Sequence, residues 1–168
     1  MWISKPCLYA IRALTCLASQ PPGKLSGARD IAEQESIPAP FLGKVLQQLR
    51  RGRLVRSYRG TGGGYELALP PEKISLMAVM RCIEGQDVLQ NCVLEDRACL
   101  DEQPCALHES WLPVRQQLAE FFERNTLAEL VRSRQTIAAS VRSAGPEDLK
   151  ILNRAAARPK GNLTEGRR

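Results

Sequence analysis

The sequence predicts a mainly α-helical protein built as a winged helix-turn-helix with a two-stranded β wing and further helices after it. Three observations carry this. Apolar residues recur at helical spacing in three consecutive segments within the first fifty or so positions, two β-rich runs then flank a glycine cluster, and helical periodicity resumes afterwards. With 168 residues, 43% hydrophobic and 25% charged, the chain has an ordinary globular composition and enough apolar material for a core.

Leu8, Ile11, Leu14 and Leu17, with Ala10, Ala13 and Ala18, predict a first helix over roughly 4–19, with Ser4 near its cap. Pro21-Pro22-Gly23 ends it. Ser26 can cap a short second helix carrying Ala28, Ile31 and Ala32, and Ile37-Pro38-Ala39-Pro40 makes a tight connection. A third helix is predicted from about Pro40 to Arg51 with Phe41, Val45, Leu46 and Leu49 as its buried stripe, stopped by Gly52. Leu54–Tyr58 and Tyr65–Leu69 read as strands around Arg59-Gly60-Thr61-Gly62-Gly63-Gly64, a hairpin with a glycine-rich tip.

Pro70-Pro71 closes the hairpin, and Ser75 caps a helix through about Glu84 with Leu76, Val79, Met80 and Ile83 inward. A loop follows to about Pro104. Helical periodicity returns from Cys105 to about Arg124, although Pro113 fits only a first turn and moves the expected start toward Ser110. Trp111, Phe121 and Phe122 are expected in the core or in a seam between subunits. Thr126 caps a last helix with Leu127, Leu130 and Val131. The domain reading is 1–84 for the winged helix-turn-helix, 85–108 for a cysteine loop, 105–140 for helices and 141–168 for a basic, disordered tail with a short helix near 146–157.

The net charge of +6 is unevenly placed. Residues 1–80 carry 11 basic and 5 acidic side chains, 81–141 carry 6 and 10, and 142–168 carry 7 and 3. Between Ser36 and Tyr65 stand Lys44, Arg50, Arg51, Arg53, Arg56 and Arg59 without one acid, a field suited to a polyanion. Three helices and a hairpin in this order place the third helix in a DNA major groove and the wing on the backbone or minor groove. The expected interface is Ser26 and Arg29, then Ala39, Pro40, Phe41, Lys44, Gln47, Gln48 and Arg51, then Arg59, Thr61, Gly62 and Gly63 on the wing. Gly43 shares the exposed face of the third helix. Arg59 can enter a narrow minor groove while the glycines let the backbone approach closely. A nucleotide-cradling loop is disfavoured, because the glycine spacing matches neither phosphate-loop pattern and a strand follows instead of a helix.

No apolar run approaches the roughly 18 residues of a membrane span, and the opening residues lack a cleavable leader pattern, so the chain is read as cytoplasmic with no membrane association. In a reducing compartment the six cysteines are thiols or ligands rather than disulfides. Cys92, Cys99, Cys105 and His108 fall at intervals of seven, six and three positions among Glu95, Asp96, Asp101 and Glu102. Structural zinc sites pair cysteines at closer spacing, whereas such a loop can wrap an Fe-S cluster. Zinc and three unrelated thiols stay open as alternatives. Cys7, Cys16 and Cys82 read as small buried hydrophobes, although Cys7 is placed where it can reach a site from a partner subunit.

The runs Ile3-Ser4-Lys5, Tyr9-Ala10-Ile11-Arg12-Ala13-Leu14, Asp30-Ile31-Ala32, Leu49-Arg50-Arg51-Gly52-Arg53-Leu54-Val55, Arg59-Gly60-Thr61-Gly62-Gly63-Gly64-Tyr65 and Thr126-Leu127-Ala128-Glu129-Leu130, with Ile37 and Phe41-Leu42, resemble the Rrf-type family of bacterial Fe-S regulators. The resemblance covers roughly residues 1–135. It implies a homodimer on a palindromic operator in double-stranded DNA, a dimerisation helix after the wing, and a cluster held by Cys92, Cys99 and Cys105. In one branch a histidine matching His108 completes a [2Fe-2S] site, which is favoured here over [4Fe-4S]. The Cys92 to Cys99 interval is one residue longer than in the assembly and nitric oxide regulators of that family. The aspartate that a partner subunit can supply there is replaced by Leu8.

The expected function is thus a DNA-binding transcriptional regulator, a repressor, whose cluster positions the loop and dimer helix and so the two recognition helices. Such a switch works only through different affinities of the two states for DNA. The rivals are a zinc-stabilised or metal-free winged-helix regulator and a small Fe-S electron-transfer protein, for which the acid-free cationic stretch has no use. An enzyme is not expected, since there is no Cys-x-x-Cys, no Ser/His/Asp set and no second histidine.

Overall fold

The computed structural model describes residues 3–95 and 97–143. The helix expected near 146–157 and nearly all of the basic tail lie outside the described residues. The chain divides into two compact units, Met1–Arg132 and Ser133–Arg168. Of the second, the described part continues the last helix.

Helix α1, Lys5–Ala18, starts where Ser4 Oγ accepts the Cys7 amide at 3.2 Å and donates to the Glu84 carboxylate. Pro6 sits in the first turn, where its missing N-H is not needed. The buried face is Cys7, Ala10, Ala13, Leu14 and Leu17. Leu8, expected on that stripe, lies one position off it and is 42% exposed.

Helix α2, Ala28–Gln34, has Gly27 at its N-cap and no side-chain cap. The expected Ser26 cap is replaced by a different use of that residue. Ser26 exchanges main-chain hydrogen bonds with Tyr65, at 3.0 and 2.9 Å, and is buried. Helix α3, Ala39–Arg51, buries Leu42, Val45, Leu46 and Leu49. Phe41 was expected inside; it is 56% exposed and rests against Tyr9 with ring centroids 6.4 Å apart. The helix ends at Gly52, where a Cβ would lie 2.3 Å from Cys82 Sγ.

Strands β1, Val55–Tyr58, and β2, Gly64–Leu67, pair antiparallel with Arg56 opposite Glu66 and Tyr58 opposite Gly64. At the tip the Gly63 amide donates to the Gly60 carbonyl at 2.9 Å, and Gly62, third in that turn, has φ +78°, where a type II turn demands glycine. A 3-10 turn at Pro71–Lys73 leads to α4, Leu76–Glu84, capped by Ser75 Oγ, which accepts the Ala78 amide at 3.1 Å.

The loop from Gly85 ends at α5, His108–Arg124, which runs straight through Pro113. That proline stands past the first turn and deprives the Glu109 carbonyl of its i+4 donor. Helix α6, Leu127–Ser143, opens with a capping box. Thr126 Oγ1 accepts the Glu129 amide at 3.5 Å while the Glu129 carboxylate accepts the Thr126 amide at 2.7 Å.

Two apolar clusters hold unit one together. The larger packs Ala10, Ala13 and Leu14 of α1 against Ile31, the α3 stripe, Val55, Ile74, Val79 and Leu127. Alanines on α1 let its neighbours approach closely, and each fully buried leucine contributes about 1.5–3 kcal/mol. The smaller joins Cys7 to Leu76, Met77, Met80 and Phe122. Phe122 is therefore core, whereas Phe121 is 50% exposed. Among the described residues no helix is long and apolar enough to cross a membrane.

Candidate functional site

The cationic surface is built by α3 and the wing. Ala39, Pro40, Phe41, Lys44, Gln47, Gln48 and Arg51 are all exposed on α3, and Arg59, Thr61 and Gly62 at the wing tip, with Gly63 partly covered. Lys44, Arg50, Arg51, Arg53 and Arg59 make no ion pair among the described residues. Arg56 differs from the other five. It faces Glu66 across the hairpin at 3.6 Å and donates to the Ala68 carbonyl at 3.1 Å. Arg29 pairs with Glu33 at 3.2 Å, one helical turn on. Ser26 is buried under the wing, so its side chain is not presented to a ligand in this arrangement.

Glu35 is a feature that sequence reasoning missed. Its side chain is 2% exposed and Arg12 holds it at 3.4 Å. The acid bordering the cationic stretch is thereby turned inward and neutralised, which sharpens the positive field outside. The signal was faint, since Arg12 and Glu35 stand 23 positions apart.

The loop brings four of the predicted ligands into two pairs. Cys92 and Cys105 face each other with sulfurs 3.3 Å apart. Cys99 Sγ lies 3.4 Å from His108 Nδ1, and His108 Nε2 lies 3.0 Å from an Asp101 carboxylate oxygen. An antiparallel bridge between Asn91 and Ala98 shapes the loop, with the Cys92 amide on the Arg97 carbonyl and the Cys99 amide on the Gln90 carbonyl, each at 2.8 Å. Main-chain amides reach the sulfurs as well. The Leu94 amide, helped by that of Glu95, holds the Cys92 thiol below its ordinary pKa, while the hydrogen bond with Cys92 pushes Cys105 up.

No three His, Cys, Asp or Glu side chains converge on one point among the described residues. Three thiols and an imidazole are donors that zinc takes and that the irons of an Fe-S cluster take as well. His108 also has the outer contact such a ligand needs, since a carboxylate on the far ring nitrogen fixes its tautomer and orientation. The donors present therefore fit the group in chemistry.

The remaining cysteines behave as packing residues. Cys7 has no exposed surface, and burial, with the nearby Glu84 charge, pushes its pKa up to about 12. In this arrangement it has no route to a partner's site. Cys16 is buried in the main core, and Cys82 is half-buried against the Gln48 carbonyl at 3.6 Å.

A cationic third helix, a glycine-tipped wing and a three-cysteine loop find their match in one family model, described as Rrf2, iron-dependent transcriptional regulator, over residues 3–133. The chain belongs to the Rrf2 family. Rrf2 proteins are DNA-binding transcriptional regulators and not enzymes. A relative from Mycobacterium tuberculosis, described as an HTH-type transcriptional regulator, is 36% identical over 77% of this chain and 81% of its own. The regulator NsrR of Bacillus subtilis is 31% identical over 77% and 89%. The solved structure of CymR, the global cysteine regulator of Bacillus subtilis, superposes with a TM-score of 0.68 at 25% identity, covering 78% of this chain and 96% of that one. The Rrf2 match spans all of α3 and the wing.

Proposed function

We propose that this Rrf2 protein is a cytoplasmic homodimeric repressor of a palindromic operator whose affinity is set by an Fe-S cluster, of [2Fe-2S] type, held by Cys92, Cys99, Cys105 and His108. The observation that carries the reading is the pairing of four soft donors in the loop between α4 and α5, Cys92 with Cys105 and Cys99 with His108. When bound, the cluster supplies a centre that oxygen, nitric oxide or iron depletion can alter. The protein's own residues do the rest. Cys92 and Cys105 join the middle of the loop to the start of α5. Arg115 on α5 donates to the Cys99 carbonyl at 3.5 Å, so loop and helix respond together. Leu107, at the N-cap of α5, and Val114 and Phe121 on it expose apolar side chains at seven-residue spacing, which supports a dimer seam. Two α3 helices related by that seam would read half-sites about one DNA turn apart.

Anaerobic purification tests this. Visible sulfur-to-iron absorption that disappears in Cys92→Ala, together with about two irons per chain and tighter or weaker operator binding after cluster removal, is expected. A colourless protein holding zinc, or identical DNA affinity with and without iron, would sink it.

The 3.3 Å sulfur separation favours a second reading, a metal-free thiol switch. Hydrogen peroxide would take two electrons from Cys92 and Cys105, forming one S-S bond and, with the two thiol protons, two waters. Diamide or peroxide treatment of iron-free protein, followed by mass mapping of a Cys92–Cys105 disulfide, separates the two.

A further inference from the structure

Between α4, the cysteine loop and α5 lies a cavity of about 460 Å³, within the range of small-ligand sites. Its wall is at odds with its surroundings. Residues 81–141 carry ten acids against six bases, yet among the described residues no aspartate or glutamate lines the cavity, whereas Arg81 and Arg115 do. Arg81 is taken up by Glu123 at 2.8 Å. Arg115 has no carboxylate partner among the described residues; its one contact is the Cys99 carbonyl at 3.5 Å, which leaves most of its five N-H donors unused. Half-buried and unpaired, such a guanidinium favours a bound anion. Gln86 and Gln90 add polar lining, and Met77, Leu100 and Leu112 add apolar lining. Leu89, also on the wall, holds φ +72°, a conformation that a leucine rarely adopts and that gathers at binding sites.

We infer that this cavity is a binding site for a small carboxylate with an apolar body, its carboxylate on Arg115 and its chain against Met77, Leu100 and Leu112. A planar guanidinium fork matches a carboxylate in two parallel hydrogen bonds, and the apolar lining disfavours a bare inorganic anion as the occupant. The site adjoins the paired donors, since Cys99 stands on its wall. Its walls come from both the cysteine loop and α4, so an occupant holds those two segments at a fixed separation.

The test uses the full chain with hexanoate, its neutral isostere hexanamide, and inorganic phosphate, read by calorimetric titration and by thermal midpoint. Hexanoate is expected to bind and raise the midpoint, and the other two are not. Arg115→Gln should weaken hexanoate at least about tenfold, the scale of a lost charged hydrogen bond. Leu100→Trp, at a half-exposed wall position, should block binding by filling the cavity while keeping the charge. Hexanamide or phosphate binding as well as hexanoate, no binding by any probe, or both variants binding hexanoate like the parent would each overturn the inference.

Discussion

Ser26 and Tyr65 exchange both of their main-chain hydrogen bonds, at 3.0 and 2.9 Å, and so tie the segment before α2 to the returning strand of the wing. The contact is possible because Gly64 has no side chain. A Cβ there would stand 2.7 Å from the Ser26 carbonyl oxygen and 2.8 Å from its carbon, both main-chain atoms.

Gly64→Ala should therefore destabilise the protein by about 1–3 kcal/mol, the usual cost of overpacking a site that cannot relax. Gly43→Ala should do the opposite. Gly43 sits inside α3 with nothing within 4 Å of an added Cβ, and alanine in a helix interior is worth about 1 kcal/mol over glycine. Urea unfolding of the two variants checks both signs, and a stabilised Gly64→Ala would refute the close-approach explanation.

Arg59 and Arg56 stand three positions apart and should respond differently to removal. Arg59→Ala breaks no internal ion pair, so stability is unchanged while DNA affinity falls by roughly 1–3 kcal/mol if the side chain reads a groove edge. Arg56 is already engaged by Glu66 and the Ala68 carbonyl, and Arg56→Ala should cost clearly less affinity. Fluorescence anisotropy across a salt series distinguishes them, and a steep salt dependence is expected for the parent.

The thiols of metal-free protein should alkylate in a fixed order. At pH 8 Cys92 reacts first, because the Leu94 amide favours its thiolate, and Cys7 stays unmodified until the chain unfolds. Its pKa is raised from 9.0 to about 12, so the native chain keeps a proton that the unfolded chain loses across that window. Stability from this group is full below pH 9 and declines as pH rises through it. Timed iodoacetamide labelling with peptide mapping reads the order. Early modification of Cys7 would contradict its burial.

Thr126→Ala should remove the capping box that starts α6, at a cost of about 0.5–2 kcal/mol, whereas Thr126→Ser keeps the hydroxyl and should be near neutral. Thermal melts of both variants are the check.

Helical periodicity and the turn residues made the element order legible, and Ser4, Ser75 and Thr126 stand at the helix starts their chemistry predicts. What failed was decided by tertiary contact. Phe41 and Leu42 are adjacent and both apolar, and only the packing of α3 on α1 turns Leu42 inward and leaves Phe41 against Tyr9. The unbroken cationic run concealed that the hairpin register sets Arg56 opposite Glu66. Ser26 carried a good capping side chain, yet the wing claimed its main chain. In the loop, spacing identified the donors but could not say which faced which, because that depends on the Asn91–Ala98 bridge and on where α5 begins. Pro113 does not set the start of α5, since within the helix it costs only the one hydrogen bond to the Glu109 carbonyl.

Ser4 joins two places that the chain separates by eighty positions. Its hydroxyl starts α1 and also holds Glu84, the last residue of α4, immediately before the cysteine loop departs. The near end of the loop is thus rooted in the frame of the first helix. Its far part is held by α5, where His108 and Arg115 meet the buried Cys99, so the loop is a beam with two supports and a change at the thiols strains it against both.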